Sequence, residues 1–240
     1  MLRRAAPLVV VIVLCRGAWT VSDSFDGPST GQSLESAWQE YRTFGERENG
    51  WRVEAGSAVR SSAQDRLNSE VVAFFGEAPP FSDQQVSVMV EQLEVSPDEQ
   101  TSWASVGVLT RGSAESRDGL ASELSAYNGE LVMTDEFGEM QYLLLLWLVD
   151  GWSHGDPPED VAVLASERLG PRVEFPVRLT VSAQDSTITV RAVQDDSTTT
   201  SLSVEDTTLD DGRVGLISSL IAPTSARIEV DDFSAREAQG

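Results

Sequence analysis

The sequence predicts an all-β protein: an antiparallel two-sheet sandwich of the jelly-roll kind. Apolar residues recur at every second position over many short segments, the period of a strand with one buried face. Clusters of Gly, Asp, Asn and Pro separate those segments as turns would. Helical periodicity is poor, and the best candidate, Leu34 to Tyr41, amounts to a turn or two.

The strands follow in order. Trp19, Val21, Asp23 and Phe25 share one face of the first. Trp51 and Val53 alternate in the next clear segment, and Val71 to Phe75 is a short apolar run. Val86, Val88 and Val90 alternate, as do Val106, Val108 and Thr110 around Gly107. Leu120 to Tyr127 and Glu130 to Thr134 flank Asn128-Gly129, a dipeptide that suits the two-residue turn of a hairpin. Met140 to Val149 is apolar almost throughout, which predicts a strand covered on both faces. Asp150 to Arg172 reads as a long break, and a break of that length suggests a functional loop or local cover. Phe175 to Val181, Thr187 to Val193, Ser201 to Val204, Val214 to Ser218 and Arg227 to Phe233 complete the series.

The 240 residues suit a signal peptide over 1–18 and a single domain over 19–240. Arg3 and Arg4 precede an apolar run, Ala5 to Leu14, that ends in Cys15-Arg16-Gly17-Ala18. A charged start, a short apolar stretch and a small-residue exit are the layout of a secretory leader. The run is too short to span a bilayer, which takes roughly 20 residues. The expected location is therefore periplasmic, extracellular or cell-surface. Cys15 is the only cysteine, either discarded with the leader or, as the minor alternative, lipidated; in both cases no intrachain disulfide can form.

The net charge is −22, and all 17 basic residues are arginine. Such a field repels nucleic acid and anionic lipid, so neither is expected as a partner. A halophilic host, whose proteins keep carboxylate-rich surfaces hydrated in salt, explains the acidity slightly better than a GC-rich genome does.

The order of five motifs resembles a known family. DSFDG (Asp23 to Gly27) is followed by WRVEAGSAV (Trp51 to Val59), VGVLTR (Val106 to Arg111), DGRVGLIS (Asp211 to Ser218) and VDDFSA (Val230 to Ala235). This pattern resembles the concanavalin A-like lectin/glucanase jelly roll, in its laminin G-like and 3-keto-disaccharide hydrolase-like branches. The resemblance implies two antiparallel sheets, one of them concave, with the terminal strands adjacent. It also implies a structural calcium where the termini meet.

Asp23 and Asp232 are the residues to hold such an ion. Each shares parity with apolar neighbours, and a buried carboxylate needs a partner. The alternative is that both lie at strand ends, where they accept backbone N–H groups or pair with Arg227 or Arg236.

Catalytic signatures are sparse. The E-x-D-x-E run of family 16 glycoside hydrolases is absent, as is G-x-S-x-G. The absence of lysine excludes a P-loop and a Schiff base. One histidine and no cysteine beyond the leader exclude a thiol nucleophile and a His-rich zinc site. Asp150, His154 and Asp156 in the long break could form a small acid–base or metal cluster, or plain solvated surface.

For a sugar ligand the expected residues are Trp103, Arg111, Tyr127, Trp152 and His154, since aromatic rings stack on pyranose faces and polar groups fix hydroxyls. Trp147, inside an apolar run, reads as core. The leading functional expectation is an exported, non-catalytic jelly roll that binds a glycan or an extracellular matrix component. The alternatives are a glycoside hydrolase of the 3-keto-disaccharide hydrolase type and a structural or adhesive surface domain.

Overall fold

The structure is a computed structural model that describes residues 19–25, 32–34, 37–44, 50–62, 69–76, 80–95, 103–117, 120–136, 139–152, 161–221 and 225–238. The expected leader with Cys15, and the loop residues His154 and Asp156, lie outside the described residues.

All described regular structure is strand. In chain order the strands are β1 (Thr20–Asp23), β2 (Gln32–Ser33), β3 (Trp38–Phe44), β4 (Arg52–Glu54), β5 (Ser57–Ser62), β6 (Ser69–Phe75), β7 (Gln84–Val95) and β8 (Trp103–Arg117). They continue as β9 (Leu120–Glu136), β10 (Glu139–Trp152), β11 (Val161–Gly170), β12 (Val177–Gln184), β13 (Thr187–Val193), β14 (Thr199–Glu205), β15 (Arg213–Ile221) and β16 (Ala226–Glu237).

Two sheets result. The 9-stranded sheet runs β14-β13-β12-β7-β16-β5-β4-β2, with β1 added beside β16. The 7-stranded sheet runs β11-β10-β9-β8-β15-β6-β3, and β3 also touches β9 through a parallel bridge from Arg42 to Leu120. All other pairings between these strands are antiparallel. Alternate residues of both sheets, among them Val88, Val106, Leu131, Leu144, Leu179, Leu216 and Val230, fill the space between them.

The first and last strands lie side by side, with Thr20 opposite Arg236 and Asp23 opposite Phe233. Asp23 is buried and works as a hub. Its carboxylate accepts the indole N–H of Trp38 at 2.7 Å and the backbone N–H of Phe25 at 2.9 Å. Around that bond Trp38 packs edge-on to Phe75 and Phe233, with centroids 5.3 and 4.7 Å away. Asp232 does not join it. The β16–β7 register shifts between Asp231 and Ser234, and Asp232 itself takes φ 50°. The shift reverses the parity expected from Ile228 and Val230, so Phe233 turns inward and Asp232 stands exposed.

Three further expectations are corrected. Asn128-Gly129 is no hairpin turn but the middle of β9. Gly129 faces the other sheet, where a Cβ would stand 2.2 Å from Val181 Cγ2 and 2.6 Å from Val190 Cγ2. The glycine is required by close sheet-to-sheet approach. The β8–β9 register closes instead at Arg117 and Leu120, around the sequence Asp118-Gly119. The suggested helical turn at Leu34 to Tyr41 gives way to β3, whose Trp38 and Tyr41 pair with Phe75 and Val72 of β6. The long break after Asp150 is largely strand, since β10 runs to Trp152 and β11 begins at Val161.

The seven-stranded sheet has a second apolar core on its far side. Val72, Phe74, Leu109, Leu124, Ala126, Val149 and Ile217 point away from the sandwich interior yet are buried together. The sheet therefore rolls toward its outer face, which is concave, and the β3–β9 bridge closes the roll.

Two substitutions test this arrangement by chemical denaturation. Gly129→Ala forces a methyl group against Val181 and lowers stability by roughly 2 kcal/mol or more. Asp23→Ala strands the buried Trp38 N–H and costs about 2 kcal/mol, with the same loss in calcium and in EDTA.

Candidate functional site

The concave face carries a pocket of about 330 Å³, near the lower end of the ~300–1,000 Å³ usual for small-molecule sites. Three indoles line it, Trp103 from β8 and Trp147 and Trp152 from β10. Strand parity sets Trp103 and Trp147 outward, and the irregularity of β10 after Val149, where Gly151 takes φ 70°, brings Trp152 to the same face. Trp103 pairs with Ile221 across β15, and Trp147 pairs with Val163 across β11. Those two partners are the large apolar side chains most open to solvent, Ile221 at 38% and Val163 at 51% exposure, so the rim is apolar as well.

Beneath the indoles lie Asn128 and Glu130, two residues apart on β9 and on the same face. Both are buried, at 2% and 5% exposure. Asn128 Nδ2 donates to Glu130 Oε1 at 2.5 Å. They have room because Gly107 of β8 stands opposite Glu130. A Cβ at Gly107 would lie 2.6 Å from both Asn128 Oδ1 and Glu130 Cγ.

The polar atoms at this floor are incompletely paired. Asn128 Oδ1, Ser105 Oγ and Trp147 Nε1 are buried and make no hydrogen bond. Ser105 and Trp147 lie close enough to Glu130 to favour its charged form, yet neither completes a bond to it. Glu70, on β6, is the second acid of the pocket. Thr43 Oγ1 donates to its Oε1 at 2.7 Å and Ser219 Oγ to its Oε2 at 2.5 Å.

The two carboxylates differ electrostatically. Burial pushes the Glu130 carboxyl up to about 7, and repulsion from Glu70 adds to the effect. Glu70 has a cation behind it. Arg60 is fully buried on the inner side of the sheet, its guanidinium donating to the backbone and side-chain oxygens of Ser69 and Ser218, and it is electrostatically coupled to Glu70 and Glu40. Burial lowers the Arg60 pKa to about 10, so it stays charged at neutrality.

The sequence-derived residues divide between this pocket and the fold. Trp103 and Trp152 meet at the pocket. Arg111 does not reach it, because Arg111 takes φ 50° at the β8 bulge and turns inward to 3% exposure. Its guanidinium donates to the carbonyls of Ser82 at 2.7 Å, Leu209 at 3.0 Å and Asp185 at 2.6 Å, tying three loops together. Tyr127 also faces the sandwich interior. Its hydroxyl donates to Asp206 and accepts the Leu209 N–H at 3.2 Å, and burial together with Asp206 pushes the phenol up to about 12. Trp147, expected in the core, lines the pocket instead. Glu130, Asn128 and Glu70 escaped sequence reading; the alternation Ala126, Asn128, Glu130 was the signal for the first two, hidden by the mistaken hairpin, and Glu70 on β6 had none.

Asp23 and Asp232 do not fit a calcium ion as a pair. The oxygens of Asp23 are engaged by N–H donors, and Asp232 projects to solvent. Among the described residues no group of three or more His, Cys, Asp or Glu side chains is arranged to hold a metal.

No protein-family description matches the chain, and no curated protein does. Solved structures match it throughout. The legume lectin-like domain from Entamoeba histolytica is similar at 8% identity with a TM-score of 0.56, covering 89% of this chain and 100% of that one. The Ca2+-bound exoplasmic/lumenal domain of VIP36 is similar at 10% identity and 0.55, covering 92% and 90%. SCLam, a non-specific endo-β-1,3(4)-glucanase from family GH16, is similar at 10% identity and 0.54, covering 98% and 95%. The fold is the concanavalin A-like jelly roll that lectins and glucanases share.

Glu130 has a thermodynamic signature. Its pKa rises on folding from an ordinary 4.5 to about 7, so its contribution to stability is full below 4.5 and is lost as pH rises through 7. Glu130→Gln removes that loss. The variant is expected to gain on the order of 3 kcal/mol over the wild type at pH 8 and nothing at pH 4, measured by thermal melts at both pH values.

Proposed function

We propose that the protein binds carbohydrate in the concave-face pocket, without cleaving it. The observation that carries this reading is the pairing of three outward-facing indoles with a buried polar floor whose acceptor and donor atoms are free. Indole faces pack on the apolar faces of sugar rings, and Asn128 and the Trp147 N–H can replace the water of ring hydroxyls. The fold supports the reading at a general level, since VIP36, of the same fold, has been solved with Man3GlcNAc bound. An exported protein whose partner is a glycan, free or within an extracellular matrix, suits the leader-like start of the chain. A concave face without tryptophan would favour the adhesive alternative, and this pocket is lined by three indoles. Any calcium would use oxygens other than the Asp23–Asp232 pair.

One observation favours the enzymatic alternative: Glu130 is held near neutrality while Glu70 shares its pocket. The sequence argues the other way. No E-x-D-x-E run sets two acids at alternate positions of one strand, and Glu70 and Glu130 come from separate strands, β6 and β9.

The test is affinity electrophoresis against a panel of soluble polysaccharides. Trp103→Ala and Trp152→Ala are expected to weaken binding of any retarding glycan by about tenfold or more each, with circular dichroism unchanged. Retardation unaffected by both variants, or reducing ends released by the wild type and not by Glu130→Gln, would overturn the non-catalytic reading.

A further inference from the structure

The pocket is lined by two carboxylates and, among the described residues, by no basic side chain. Its acids are unequal. Glu70 has Arg60 behind the sheet and two hydroxyl donors in front. Glu130 has the Asn128 amide as donor with Ser105 and Trp147 nearby, and among the described residues the charge acting on it is that of Glu70, which repels. The groups that face it from the neighbouring strands are Ser105 of β8 and Trp147 of β10, both uncharged. A buried acid without a cation is an expensive choice where glutamine would keep the Asn128 bond and fill the same space. The fold gains nothing from the charge, and among the described residues no group supplies a counter-charge, which a cationic ligand would bring.

Resting on the carbohydrate reading of this pocket, we infer that its ligand is a cationic saccharide, a glycan bearing a free protonated amine that is received by Glu130 and the surrounding indoles. An ammonium group meets each feature of the floor. It supplies the missing positive charge to Glu130. It has N–H donors for the free Asn128 Oδ1. It is attracted by indole faces, most strongly where water is excluded. The same features discriminate against other ligands. An anionic sugar meets two carboxylates and no base. An N-acetylated sugar brings no charge. A quaternary ammonium such as choline has no N–H to give Asn128 and no sugar ring to pack on the indoles.

Calorimetric titration at pH 7, where Glu130 and a sugar amine are each partly ionised, with three β-1,4-linked oligosaccharides tests this. They are of equal length and differ only at C2, which carries a hydroxyl, an acetamido or an ammonium group; choline is the fourth probe. The expected result is at least tenfold tighter binding of the amine than of either neutral oligosaccharide or choline. That preference should vanish in Glu130→Gln and survive in Glu70→Gln. Equal binding of the three saccharides, preferential binding of choline, or a preference that persists in Glu130→Gln overturns the cationic assignment and leaves saccharide binding in place. Binding of none of the three saccharides overturns both.

Discussion

A β-sheet with two apolar faces cannot lie open to water, and the seven-stranded sheet has two. Its inner face belongs to the sandwich. Its outer face carries Val72, Phe74, Leu109, Leu124, Ala126, Val149 and Ile217, which only rolling can bury. The roll brings β3 round to β9 and defines the hollow in which Trp103, Trp147 and Trp152 face a common space. The pocket is the unfilled remainder of that second core, and this explains its character. Its walls are continuous with packed apolar residues, and its polar groups come from three strands, Glu70 of β6, Ser219 of β15, and Asn128 and Glu130 of β9.

Charge inside this fold is mostly neutralised locally. Arg60 spends its N–H groups on Ser69 and Ser218 and balances Glu70 and Glu40. Arg111 closes three loops through their carbonyls. Asp23 is held by two N–H donors at the centre of an aromatic cluster. Against that pattern Glu130 is the exception, buried in the pocket floor beside three polar atoms that lack partners. Unpaired polar groups are costly in a protein interior, and their concentration in this cavity is what the proposed ligand would relieve.

The sandwich itself was legible, because alternation in segments such as Val86 to Val90 reports burial directly. The pairing of β1 with β16 was legible from two acids set beside phenylalanines at opposite ends of the chain. What failed were single positions where the backbone leaves its period. Arg111 and Asp232 each adopt a left-handed φ, and each thereby faces the opposite way from the strand that carries it. Asn128-Gly129 has the composition of a turn, but Gly129 is small because Val181 and Val190 press against it. Trp147 looked like core because every neighbour in sequence is apolar; in a sheet with two cores, apolarity no longer tells inside from outside. Two of the five residues proposed for the ligand, Trp103 and Trp152, share the pocket. The acids and the amide beneath them come from strands that only the rolled topology brings together.

Gly107 gives this site an off switch. Its missing side chain is the volume that Asn128 and Glu130 occupy. A single methyl group there would displace both from below and leave the indoles around a shallower depression. The proposed binding site thus depends on one hydrogen atom beneath its floor, at a residue behind the groups that line the pocket.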